Sequence, residues 1–227
     1  MTTAPLTIPG AAVGLLCRPG PTLHTLAQMR RHWLAPLGLA LGGMLVLSAG
    51  YLEQSTAAIQ AALPGLTGTE LPGWSQAPAL VWAFSLLGVL ASVGGYWLLQ
   101  SALLAALSRM GRRPLGLRAV LALMPWLALP IALRMALHGG YMLLGGTILD
   151  NGLSFLVNRA PGQADLGHLG WQLLWQIDLF FVWHVALAGA ALHRFAGLTR
   201  SRAIDAALIY GLVVAVVQAG VSILFGT

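Results

Sequence analysis

The strongest constraint on this chain is how little charge accompanies its long apolar runs. Only 8% of its 227 residues are charged and 58% are hydrophobic, and the mean hydropathy is +0.80. An ordinary soluble domain carries roughly 25% charged residues; with far fewer, a soluble fold could not cover its surface with polar groups. A bilayer core takes about 20 apolar residues to cross as a helix. The sequence therefore predicts an all-α, polytopic membrane helix bundle.

The apolar runs are long enough for about five membrane-spanning helices. Residues 1–32 are predicted to precede them as a cytoplasmic N-terminal segment, with a short amphipathic helix over residues 21–31. Within residues 138–170, the stretch 141–149 is apolar but too short to cross and is broken up by glycines, which indicates an external interfacial or re-entrant segment. One membrane domain, residues 33–225, is expected to contain spans at about residues 33–52, 78–107, 114–137, 171–193 and 203–225.

Three local signals refine these spans. Gly38 and Gly42 in the first span have a spacing that allows another helix to approach closely. Pro125 and Pro130 each remove a backbone hydrogen bond from the third span, which predicts a kink. Ser201 is expected to cap the fifth span at its N-terminus.

The distribution of arginine predicts which side of the membrane each connection faces, because cytoplasmic connections carry an excess of positive charge. Acidic residues occupy the alternate connections, where Arg159 is the only arginine. This asymmetry predicts a cytoplasmic N-terminus and, with an odd number of spans, an external C-terminus. The predicted cytoplasmic arginines are Arg18, Arg30 and Arg31, then Arg109, Arg112, Arg113 and Arg118, then Arg194, Arg200 and Arg202.

The same arginines bear on partners and origin. The net charge of +6 does not indicate nucleic-acid binding, because the arginines flank apolar segments instead of forming one soluble face. The chain lacks lysine and is rich in alanine, leucine and glycine, which is typical of a GC-rich bacterial genome. The expected location is the bacterial inner membrane. Cys17 is the only cysteine, so no intramolecular disulfide forms.

Two charged residues lie inside predicted spans, where ionisable groups are costly and point to a function. Arg134 is in the third span and Asp178 in the fourth, and both fall in the outer half of the membrane because the two helices are antiparallel. We therefore expect an intramembrane Arg134–Asp178 pair. Such a pair acts either as a clamp that fixes the register of two helices or as a proton or substrate relay; the clamp is the favoured interpretation.

His184 lies two turns further along the fourth span and is expected to form a helix-to-helix hydrogen bond in preference to a metal site. The six histidines are scattered without ligand spacing, and no hydrolase or phosphate-binding motif is present. The sequence thus predicts no metal, no cofactor and no enzymatic activity.

The fourth and fifth spans resemble a known family. Residues 177–183, Ile-Asp-Leu-Phe-Phe-Val-Trp, resemble the Ile-Asp-x-Phe-x-x-Trp signature of Yip1-domain membrane proteins. Residues 197–203, Gly-Leu-Thr-Arg-Ser-Arg-Ala, resemble that family's cytosolic turn. The resemblance implies five spans, a cytoplasmic N-terminus and motif positions at Asp178, Phe180 and Trp183. The 138–170 stretch is longer than in eukaryotic members, whose role in vesicle traffic is not carried over.

Bacterial members that resemble this chain are often associated with ABC-type efflux machinery and its periplasmic adaptor. The resemblance therefore implies a non-enzymatic accessory or scaffold subunit of a transport or export complex, in contact with the bilayer and other membrane proteins. Its arginine-rich loops would meet partners or anionic lipid. A stand-alone transporter or channel using Arg134, Asp178 and His184 is the alternative, an intramembrane enzyme is less favoured, and homo-oligomerisation stays open.

Overall fold

A computed structural model describes residues 8–17, 21–22, 25, 34–62, 78–146, 148, 151–156 and 169–225. Within these residues every regular element is a helix, as the predicted all-α class requires. The helices are α1 (Ile8–Cys17), α2 (Leu34–Ala62), α3 (Pro78–Ser108), α4 (Leu117–Leu127), α5 (Leu129–Leu143), α6 (Leu169–Gln176), α7 (Leu179–Phe195) and α8 (Arg200–Phe225), with a short 3-10 helix at Ser154–Leu156.

Two stretches are helical, long and apolar enough to cross a bilayer: Leu117–Leu143, which combines α4 and α5, and Arg200–Ile223 in α8. The α6–α7 pair, bent by 69°, makes a third if it is one broken span. Shorter apolar stretches occur in α2 at Pro36–Gly50 and in α3 at Val93–Ser108. The described helices thus include two or three of bilayer-spanning length, and the full number and orientation of the spans stay predictions.

The third predicted span, 114–137, is shifted toward the C-terminus and broken. Helix begins at Leu117 and α5 continues to Leu143, so residues 138–143 of the predicted external segment are part of α5. Ala128 separates α4 from α5. It lies between Pro125 and Pro130, whose missing N–H groups remove two rungs of the helical hydrogen-bond ladder. The predicted distortion is therefore a break at a defined residue.

A tryptophan on the neighbouring helix compensates for one of these prolines. Pro125 has no N–H to donate to the carbonyl of Leu121, four residues earlier. The indole Nε1–H of Trp97 in α3 donates to that carbonyl oxygen over 2.9 Å. The bond satisfies a backbone group in the helix interior and joins α3 to α4.

The fourth predicted span, 171–193, is wrong as a continuous helix. It begins at Leu169, stops at Gln176 and resumes at Leu179. Asp178 has extended backbone angles, φ −127° and ψ −178°, which suit the residue before a helix. The sequence is apolar on both sides of the break, so its hydropathy did not predict the interruption. Hydropathy does not indicate where a side chain caps a new helix.

The close approach of α2 and α5 depends on glycines other than the predicted pair. Among the described residues, apart from the neighbouring backbone of α2 itself, nothing lies within 4 Å of where a β-carbon on Gly38 or Gly42 would stand. A β-carbon on Gly43 would instead lie 2.6 Å from the carbonyl oxygen of Ala132, and one on Gly139 of α5 would collide with the backbone of Leu47. No described helix approaches closely at Gly38 and Gly42, so the expectation for these two glycines stays a prediction.

The bounds of α1 and α2 also differ from expectation. Helix α2 extends to Ala62, ten residues beyond the predicted end of the first span at residue 52. Helix α1 occupies Ile8–Cys17, where prolines and mixed composition gave no helical signal. The predicted helix over residues 21–31 falls almost entirely outside the described residues.

Helix α1 contributes to the apolar core. Ala11 and Leu15, four residues apart and so on one face, are each 1% exposed and belong to the main buried cluster. Buried residues from α3, α4, α7 and α8 complete this core, among them Leu104, Val120, Met124, Leu127, Ala188, Leu192, Ala206 and Tyr210.

Candidate functional site

The centre of the site is Asp178, at the break between α6 and α7. Its Oδ1 accepts a hydrogen bond from the backbone N–H of Phe181 over 2.7 Å, so the side chain caps α7. The carboxylate also lies at the positive end of the α7 dipole, an interaction that stabilises the start of the helix. Asp178 thus begins the helix on which Phe181 and His184 lie.

The second carboxylate oxygen of Asp178 bonds Arg134 of α5. Arg134 Nη1 lies 3.1 Å from Asp178 Oδ2, and the two side chains are only 10% and 11% exposed. The structure thus places in contact the two side chains that the sequence analysis expected to pair. One carboxylate therefore caps α7 with one oxygen and joins it to α5 with the other.

A polar group from the preceding segment supports the other side of the break. Asn151 Nδ2 donates to the carbonyl oxygen of Trp175 over 2.7 Å, and the backbone N–H of Leu153 donates to the carbonyl of Leu174 over 2.9 Å. These carbonyls belong to the last turn of α6, where intrahelical donors run out. The residues just before the 3-10 helix therefore satisfy the α6 end of the break.

His184 is buried further along α7 than Asp178, and each of its ring nitrogens has a hydrogen-bond partner. Its Nδ1 lies 2.7 Å from the carbonyl oxygen of Leu127, the last residue of α4, and its Nε2 lies 2.9 Å from the hydroxyl of Tyr210 in α8. A carbonyl only accepts, so Nδ1 carries the proton, and Nε2 forms its hydrogen bond with the Tyr210 hydroxyl. His184, 1% exposed, thus joins α4, α7 and α8, as expected of a helix-to-helix bond.

The family-motif positions other than Asp178 play packing roles. Phe180, the second residue of α7, is half-buried, and the half-buried Trp183 packs against the main core. Their neighbour Phe181, 6% exposed, is the more deeply buried aromatic side chain. In the structure only Asp178 among the three motif positions is part of a polar network.

A cavity of about 280 Å³ lies beside the Arg134–Asp178 pair, between α2, α3, α4–α5, α6 and α8. Its wall is mainly apolar, with methionine and aliphatic side chains. The polar and aromatic residues that line it include Tyr96, Trp97, Gln100, Arg134, Trp175, Gln176, Gln218 and Ser222. The sequence analysis did not identify the glutamines, whose only signal was a polar side chain within an apolar run.

Seven of the ten predicted cytoplasmic arginines form a second feature, at the other end of α7; Arg18, Arg30 and Arg31 lie outside the described residues. The α3–α4 loop (residues 109–116) and the α7–α8 loop (residues 196–199) are in contact, because the backbone N–H of Arg113 donates to the carbonyl of Ala196 over 3.0 Å. We call the arginines on and beside these loops the basic face. They are all exposed and comprise Arg109, Arg112, Arg113, Arg118, Arg194, Arg200 and Arg202.

A buried serine and two glycines fix the backbone of the two loops. Ser108, fully buried, donates to the carbonyl of Ala105 and accepts from the backbone N–H of Leu115, which closes the α3–α4 loop. A β-carbon on Gly111 would collide with the carbonyl of Ala196, so only glycine allows this contact. Gly197 has φ +69°, a conformation that favours glycine. The basic face is therefore built on a defined backbone.

Within the part of the chain that the structure describes, no group of three or more His, Cys, Asp or Glu residues is arranged to hold a metal ion. The candidate site has three parts: the break at Asp178, the adjoining cavity and the basic face. No protein-family model, curated protein or solved structure matches this chain, so the resemblance to Yip1-domain proteins stays a prediction from residues 177–183 and 197–203.

Proposed function

We propose that this chain is a non-enzymatic accessory subunit of an ABC-type efflux or export complex in a bacterial inner membrane. It inserts through about five spans with its N-terminus in the cytoplasm, and it docks onto the transporter through the basic face. The observation that carries this proposal is the pairing of two arginine-bearing loops into one surface through the Arg113–Ala196 backbone bond.

The charge on this surface is strongly positive. Seven exposed arginines converge there, while Asp205 in the first turns of α8 is the acidic residue nearest to them in sequence. Guanidinium groups bind carboxylates through two parallel hydrogen bonds and favour planar acidic partners. A cytosolic surface rich in Asp and Glu on the transporter is the partner that fits this chemistry.

The use of the intramembrane polar groups supports a structural subunit over a relay. Asp178 uses one oxygen to cap α7 and the other to bind Arg134. His184 has a partner at each ring nitrogen. Side chains committed in this way fix helix register, which is the best-attested use of buried polar groups.

A pull-down in mild detergent tests the proposal. Tagged protein from its native membrane should recover a transporter or its adaptor in stoichiometric amount, identified by mass spectrometry. Replacing Arg112, Arg113 and Arg200 by glutamine should abolish this recovery. Replacing the same three by lysine keeps the charge and the membrane orientation, so it should preserve insertion and weaken recovery only in part.

Two outcomes would contradict the proposal. One is recovery of the chain alone, as a monomer or homo-oligomer. The other is undiminished recovery of the transporter with the triple glutamine variant, which would place the contact elsewhere.

A stand-alone carrier or channel is the second candidate, and the broken helix beside a cavity favours it. Discontinuous helices often surround substrate and ion sites in transporters. Purified chain in proteoliposomes loaded with a pH-sensitive dye should then conduct protons, and Asp178→Asn should abolish that flux. Absence of flux from the wild-type chain would remove proton transport as a function.

A further inference from the structure

We propose that the cavity between α2, α3, α4–α5, α6 and α8 binds a small, uncharged aromatic molecule that carries a hydroxyl or amide donor. This inference goes beyond the accessory role, which rests on the basic face at another part of the molecule. It follows from three properties of the cavity wall: its orphaned oxygen, its charge and its aromatic surfaces.

The first property is an unsatisfied buried acceptor. Gln218 lines the cavity, and its Oε1 is buried and accepts no hydrogen bond from any residue that the structure describes. A buried amide oxygen without a donor is costly. The terminal torsion of glutamine is soft, so a donor in the cavity can turn this oxygen toward itself. Gln100 and Gln176, each 8% exposed, offer further amides on the same wall.

The second property is the net neutrality of the wall. Arg134 is the charged residue that lines the cavity, and its charge is balanced by Asp178 at 3.1 Å. A cationic ligand would lie near the positive charge of Arg134 with no free carboxylate to bind it. An anionic ligand would have to compete with Asp178 for Arg134. An uncharged ligand avoids both costs.

The third property is the arrangement of the aromatic rings. The Nε1–H of Trp97 already donates to the carbonyl of Leu121, so the rest of its indole presents an apolar surface. Trp175 packs against Trp171 with ring centroids 4.7 Å apart. This contact, within α6, fixes the position of the Trp175 ring at the cavity wall. Held aromatic side chains with few convergent polar groups are typical of small-molecule sites, and about 280 Å³ is near the lower end of their volumes.

Binding of radiolabelled 1-naphthol to the full chain in nanodiscs, measured by equilibrium dialysis against empty nanodiscs, tests this inference. We expect saturable binding of one naphthol per chain. Gln218→Met keeps the side-chain shape and removes the amide, so it should weaken binding about threefold to tenfold, the range of one neutral hydrogen bond. Val216→Met, on the exposed side of the same helix, should bind as the wild type does.

Naphthalene, which lacks the hydroxyl, isolates the contribution of that bond. It should bind wild type and Gln218→Met equally, and the unfolding temperature of Gln218→Met should be no lower than that of the wild type because an orphaned oxygen is removed. The proposal is overturned if naphthol shows no saturable binding above empty nanodiscs, or if Gln218→Met binds naphthol as tightly as the wild type. Failure of the docking proposal is separate: the arginine variants should bind naphthol normally, and Gln218→Met should recover the transporter.

Discussion

Asp178 has two structural roles, and substitutions can separate them. Asp178→Asn keeps an oxygen to accept from Phe181 but leaves the buried charge of Arg134 without a partner. Removing one member of a buried ion pair costs about 3–5 kcal/mol, whereas loss of a helix cap costs about 1 kcal/mol. Asp178→Asn should therefore lower the free energy of unfolding by about 3 kcal/mol, measured by denaturant titration in detergent.

The control for this prediction is the double variant Arg134→Met/Asp178→Asn. It removes both charges and keeps the cap, so it should recover most of the lost stability. An Asp178→Asn protein as stable as the wild type would show that the pair is not a clamp.

The bond between His184 and Tyr210 gives a second prediction at this scale. Tyr210→Phe removes only the hydroxyl that faces Nε2 and should lower stability by about 1 kcal/mol. His184→Leu also leaves the Leu127 carbonyl without its donor, so its effect on the unfolding midpoint should be larger. Equal effects of the two variants would contradict the role assigned to the Leu127 carbonyl.

At the scale of helices, two adjacent glycines in α2 provide a matched test of the α2–α5 interface. An alanine β-carbon at position 43 would lie 2.6 Å from the backbone oxygen of Ala132, whereas one at position 42 has nothing within 4 Å. Gly43→Ala should therefore cost about 2 kcal/mol through overpacking. Gly42→Ala should be neutral or stabilising, because alanine favours helix more than glycine does. Thermal unfolding of the two variants side by side measures the difference; equal midpoints would contradict the interface described here.

Other helices show how much of the fold could be predicted from the sequence. The described part of α3 and the start of α8 agree with hydropathy, because long apolar runs between polar loops leave little choice of element. The contact between Arg134 and Asp178 was foreseeable because charges within apolar runs are rare and need partners. The choice between Gly42 and Gly43 was not, because it depends on which face of α2 meets α5.

The hydropathy pattern also could not predict where a helix breaks or which residue caps it. Ser201 was expected to cap the last helix, but α8 begins at Arg200 and the hydroxyl of Thr199 accepts from the backbone N–H of Arg202 over 3.5 Å. An error of two residues of this kind leaves the hydropathy pattern unchanged. The break at Asp178 is similar, since its identity as a cap emerges only from the backbone around it.

For the whole molecule, the arginine distribution predicts an odd number of spans and opposite locations for the two termini. A C-terminal alkaline phosphatase fusion should be active, because that enzyme folds only outside the cytoplasm, and a C-terminal fluorescent protein that matures only in the cytoplasm should be dark. The same reporters joined to the N-terminus should give the reverse result. An inactive C-terminal phosphatase would indicate an even number of spans.

The position of Arg134 before Asp178 has a consequence for biogenesis. The two residues are 44 positions apart, and synthesis at about 5–20 residues per second separates their emergence by roughly 2–9 s. During that interval a helix carrying Arg134 enters lipid with its charge uncompensated, at a cost of about 3 kcal/mol on insertion scales. The early helices of an inserting chain would therefore wait beside the translocon until the carboxylate arrives, and the ion pair would time their release into the bilayer.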